Sequence, residues 1–131
     1  MKYMMMVKAD QNYERGAAPD PRLAAAIGKH AEEMGRAGIL VEMGGLLPTF
    51  AGARVRVSGG KLVVTDGPFT ETKELIGGYA ILKAGSKEEA IKLGRDFMQI
   101  HLDVLGSAYE GELEIRQMFD PADGAAPCGQ H

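Results

Sequence analysis

Residues 61–78, KLVVTDGPFTETKELIGG, decide how this chain folds. Leu62, Val63 and Val64 are apolar or β-branched residues of strand type. Asp66-Gly67-Pro68 stops that strand, because Pro68 has no N–H and turns Gly67 away from helical backbone, while the Asp66 carboxylate can accept bonds from nearby amides. Thr70 is placed to cap a short polar turn carrying Glu71, Lys73 and Glu74, which Gly77-Gly78 closes before a strand beginning at Tyr79.

Upstream, Gly59-Gly60 between two β-type runs predicts a two-residue hairpin over residues 53–65. Setting Ser58 opposite Lys61 places Val57 against Leu62 and Val55 against Val64 on one face, which is expected to be core. Arg56 against Val63 and Arg54 against Thr65 form the other face. This register brings Arg54 beside the residue preceding Asp66, the most site-like juxtaposition in the sequence.

Around that centre, residues 2–8 (KYMMMVK) are apolar at both parities, as a strand covered on both faces would be. Residues 12–20 read as a loop. Asp20 as N-cap and Pro21 open a helix that ends at Gly38, with Leu23, Ile27, Ala31 and Met34 as its apolar stripe. Residues 39–47 form a strand bent at Gly44-Gly45. Ser86 and Glu89 form a capping box for a helix ending at Gly106, with a stripe of Ala90, Leu93, Phe97, Ile100 and Val104. Residues 112–118 are the last strand. One domain over residues 1–119 and a C-terminal tail over 120–131 are expected.

The order β-α-β-(β-β)-β-α-β predicts an α+β, ferredoxin-like antiparallel sheet with two helices on one face and an inserted β-hairpin. Its other face, rich in Met and Tyr, needs cover, and a second copy of the chain supplies it; Tyr79 is assigned there rather than to acid chemistry. A net charge of -3 without a basic run argues against nucleic acid or a membrane as partner. The lone Cys128 excludes an intrachain disulfide, and no run is long enough to span a bilayer, so a cytoplasmic location is expected.

Asp66-Gly67-Pro68-Phe69, the polar run from Thr70 to Glu74 and Gly77-Gly78-Tyr79, in that order, resemble the DGPF-type signature of YciI-like (YCII-related) proteins. The resemblance runs over residues 1–119 and implies a dimeric α/β-barrel in which two sheets face each other. It also implies either a small cofactor-free enzyme or a binding or regulatory module of the kind associated with alternative sigma factors. Relatives in the broader group carry a His early in the first helix, proposed to work with an Asp. Residues 22–27 here contain no His, and His30 comes about one turn later, so only Asp66 is carried over.

Asp66 is the candidate acid or base, against the alternative of capping its own turn. His30 and His101 fall near the apolar stripes of their helices, either as a proton shuttle, for which His101 is the candidate, or as helix histidines bonded to backbone carbonyls. Arg54, Thr70, Glu71 and Lys73 are the candidate binding residues for a small polar molecule, against the alternative of a solvated turn. No phosphate loop, dinucleotide fingerprint, nucleophile elbow or paired-cysteine site occurs in the sequence, so neither a metal nor a cofactor is expected.

Overall fold

A computed structural model describes residues 1–69 and 75–119. Among these residues, six strands and three helices follow in the order β1 (Lys2–Lys8), α1 (Gln11–Glu14), α2 (Pro21–Arg36), β2 (Leu40–Gly45), β3 (Ala53–Ser58), β4 (Lys61–Asp66), β5 (Ile76–Lys83), α3 (Lys87–Leu105) and β6 (Leu113–Gln117). Four strands build one antiparallel sheet in the order β2-β5-β1-β6, the ferredoxin-like arrangement, with the apolar β1 in its interior.

Cross-strand partners share a face, so the register sorts β1 into two sets. Tyr3 opposite Leu82 and Met5 opposite Ala80 face the helices. Tyr3, Met5 and Leu82 are buried there with Ala84, Ala90 and Leu93, while Met34, Leu40, Leu113 and Ile115 pack around them. Met4 opposite Ile81 and Met6 opposite Tyr79 point to the other face and are half-buried. The Tyr79 hydroxyl donates to Glu42 Oε2 on that face, and this bond raises the Tyr79 phenol above its usual range.

The α2 entry follows the sequence reading. Asp20 Oδ1 accepts from the Arg22 amide at 2.8 Å and Pro21 occupies the first turn. The Arg22 side chain (Nη2 to Oδ2, 3.1 Å) and that amide hold the Asp20 carboxyl below its usual range. A depressed pKa stabilises the fold above the unfolded carboxyl value, and the contribution disappears as pH falls through the folded one. Asp20→Ala is therefore expected to lower Tm at pH 7 and to melt with the wild type near pH 2, where both lack the charge; scanning calorimetry at the two pH values checks this.

At α3, Ser86 Oγ accepts from the Glu89 amide at 3.1 Å. The Glu89 carboxylate reaches the Gly85 amide at 2.9 Å, one residue upstream of a regular capping box. The buried face of α3 holds Ala90, Leu93, Gly94 and His101. His101 therefore takes the position expected for Ile100.

Three expectations are corrected. A short helix, α1, occupies part of the stretch read as a loop. The β2 irregularity falls between Leu40 and Glu42 rather than at the glycine pair. The hairpin has the counted register, with Gly59 and Gly60 at φ +58° and +76° as a tight turn requires, but its apolar face is not core. Val55, Val57, Leu62 and Val64 are 66–73% exposed, because β3 and β4 pair with each other and not with the main sheet. The tail from residue 120 lies outside the described residues.

Candidate functional site

The two helices do not fill the space above the sheet. A cavity of about 450 Å³ lies between Met5 and Ala80 on the sheet, Leu23 and Ile27 on α2, and Phe97 and His101 on α3. Its size is that of a small-molecule site, and its walls are mostly apolar. The α2 stripe lines it without being fully buried, whereas α3 closes tightly on the sheet through Ala90 and Leu93.

A ladder of rings crosses this cavity. His30 lies 6.4 Å from Phe97, Phe97 meets His101 edge-on at 4.9 Å, and His101 stacks on Tyr109 at 5.6 Å. The i to i+4 spacing of Phe97 and His101 puts both on one side of α3. His101 is 5% exposed, and its Nδ1 lies 3.1 Å from the Phe97 carbonyl oxygen. A carbonyl oxygen only accepts, so Nδ1 carries the proton, and in that tautomer Nε2 is an acceptor. Among the described residues Nε2 has no hydrogen-bond partner and is not fully buried, on a residue that lines the cavity.

The residues after β1 add Asp10, Asn12 and Tyr13 to the lining. Asp10 Oδ1 accepts from the Tyr13 amide at 2.7 Å, and the Tyr13 hydroxyl donates to the Gly77 carbonyl at 3.1 Å. Burial, and then the Asp10 charge, push the Tyr109 phenol up; burial, and then Glu14, do the same for Tyr13. Raised phenols favour the folded state below about pH 10, and this contribution is lost as pH rises through the folded values. Wild-type stability should fall as pH rises above about 10, and Tyr109→Phe should fall less; paired thermal melts at neutral and alkaline pH decide it.

The Asp66-Gly67-Pro68-Phe69 turn lies elsewhere, yet it is tied to α1. Gly67 N–H donates to the Gly52 carbonyl (2.9 Å), and Phe69 N–H donates to Thr49 Oγ1 (3.0 Å). Thr49 in turn donates its amide (3.0 Å) and its hydroxyl to the Glu14 carboxylate on α1. A Cβ on Gly67 would stand 1.6 Å from the Thr49 carbonyl oxygen, so only glycine permits this backbone contact. Thr49→Val removes the bridging hydroxyl and should cost about 1–3 kcal/mol, read by urea denaturation.

The sequence candidates are thus divided. His101 and His30 line the cavity, with Phe97 between them. Asp66 is exposed at the end of β4, is not part of the cavity lining, and makes no side-chain hydrogen bond or ion pair among the described residues. Its turn is held by main-chain groups and Thr49 instead. Asp66 sits opposite Ala53 and Arg54 opposite Thr65, so alternation sends the two side chains to opposite faces of the hairpin. The Arg54 guanidinium stacks 3.8 Å from the Phe69 ring centre. Thr70, Glu71 and Lys73 lie outside the described residues. Glu14, Thr49, Tyr13 and Tyr109 were not singled out by the sequence; their partners are distant in the chain or carried by irregular segments.

A family profile described as YCII-related domain matches residues 1–106, most of the chain. The chain belongs to the YCII-related family. An uncharacterized protein of Rhizobium meliloti (strain 1021) is 40% identical to this YCII-related chain over 74 residues. That alignment spans 56% of this chain and 56% of the relative, so it covers about half the length of each. Among the described residues no group of three or more His, Cys, Asp or Glu could hold a metal ion, and no helix is long and apolar enough to cross a membrane.

Proposed function

We propose that this YCII-related domain binds a small, mostly apolar molecule between its sheet and its helices, with His101 and Tyr109 supplying the polar contacts. The observation that carries this reading is the buried His101 imidazole, which lines an open, mostly apolar cavity of about 450 Å³ and whose Nε2 has no partner among the described residues. An accessible imidazole nitrogen on a largely buried ring is free to take a donor from a ligand or from water. Acid–base work by Asp66 with Arg54 as anchor has less support, since the two side chains leave the hairpin on opposite faces and neither lines the cavity.

Ala31, on the cavity wall, provides the test. Ala31→Phe should fill the cavity and abolish the thermal stabilisation that small aromatic probes give the wild type, while Asp66→Asn should leave that stabilisation unchanged. Loss of binding in Asp66→Asn with retention in Ala31→Phe would move the site to the hairpin.

The domain acts, in this reading, as a homodimer of the dimeric α/β-barrel type. Support comes from two apolar surfaces that one chain leaves without full cover: the Val55, Val57, Leu62 and Val64 face of the hairpin, and the Met4, Met6, Tyr79 and Ile81 face of the sheet. Exposed patches of this kind on a small domain mark interaction surfaces.

A further inference from the structure

Resting on the cavity reading above, we infer that the ligand is an uncharged aromatic molecule carrying a hydroxyl group, which it donates to His101 Nε2.

The ring ladder supplies the first argument. Phe97 presents itself edge-on to His101, and Tyr109 covers His101 face to face, so the cavity wall offers ring faces and edges at the spacings aromatic groups prefer. A flat ring entering between this ladder and the Met5 and Met34 side chains continues the pattern and also meets polarisable sulfur.

Polarity follows from the tautomer. With Nδ1–H committed to the Phe97 carbonyl, the Nδ1–H tautomer of His101 can only accept at Nε2, so it selects a ligand that donates. A hydroxyl satisfies it, whereas a bare hydrocarbon leaves the acceptor unmet.

Charge excludes the acids. Among the described residues the carboxylates lining the cavity are Asp10 and Asp20, and apart from its histidines the cationic side chain in the lining is Lys8, which Glu114 engages at 3.3 Å. A carboxylate or phosphate entering here would give up its water in a mostly apolar space whose lining already carries two like charges, and the Lys8 ammonium already faces a carboxylate. A neutral hydroxyl carries no such penalty.

The test is calorimetric titration of the wild type and of His101→Phe with three probes of one shape: p-cresol, toluene and 4-methylbenzoate. The expected result is that p-cresol binds the wild type about fivefold or more tightly than toluene, that the preference vanishes in His101→Phe, and that 4-methylbenzoate does not bind at pH 7. Equal binding of p-cresol and toluene by the wild type, or a preference for 4-methylbenzoate, overturns the inference and leaves the cavity reading standing. Binding of none of the three overturns the cavity reading itself. The wild-type comparison decides the matter even if the variant does not fold.

Discussion

Gly67→Ala should destabilise the protein by about 3 kcal/mol or more, a fall in Tm of about 10 °C for a domain of this size. The added methyl would stand 1.6 Å from the Thr49 carbonyl oxygen and 2.5 Å from its carbon, both backbone atoms that no rotamer can withdraw. Relieving the clash means lifting the 66–69 turn off residues 49–52. That breaks the Phe69 to Thr49 bond and loosens the Thr49 hold on Glu14. Gly28 is the control, since a Cβ there meets nothing within 4 Å and the residue lies inside α2. Gly28→Ala should stabilise by up to about 1 kcal/mol through helix propensity. Equilibrium urea denaturation of the three proteins measures both effects. A near-neutral Gly67→Ala would mean that the turn does not dock on Thr49.

The second large effect concerns assembly. The wild type should sediment as a dimer at micromolar concentration, and the double substitution Val57→Asp and Leu62→Asp should sediment as a monomer. These residues face each other across the hairpin and are 73% and 72% exposed in one chain, so their replacement removes little intrachain packing. In a dimer that buries them, two carboxylates would be desolvated without partners, which weakens association at least about 100-fold. Unfolding midpoints measured on the monomeric species should stay close to those of an undisturbed hairpin. A wild type that is itself monomeric removes the dimer from the account and leaves the hairpin face unexplained.

The parts of the fold that sequence specifies locally were legible. Gly59-Gly60 set a hairpin register that holds at every pair from Ala53 opposite Asp66 to Ser58 opposite Lys61, and Asp20-Pro21 marked where α2 begins. The same parity already separated Arg54 from Asp66, because residues paired one step apart on a strand face opposite ways. Nearness along the chain concealed this. His101 was noticed, but hydrophobic periodicity favoured Ile100 one residue earlier, and a rotation of about 100° exchanges the two on a helix.

The remainder had no local signature. α1 is 4 residues long, too short for a periodic pattern, and Glu14 meets Thr49 across 35 residues of chain. The cavity is harder still, since Leu23, Ile27, Ala31 and Met34 make the same stripe whether the space beneath them is packed or open. How far α2 stands from the sheet is a tertiary fact.

Binding in the space between helices and sheet is reported by the protein's own 8 methionines. Met5, Met34 and Met43 line the cavity, while Met4 and Met6 lie on the opposite face of the sheet. Methyl NMR spectra of 13C-methionine protein titrated with p-cresol should move the Met5, Met34 and Met43 signals together along one saturable curve and leave Met4 and Met6 in place. Shifts confined to Met4 and Met6, or none at any methionine, would contradict it.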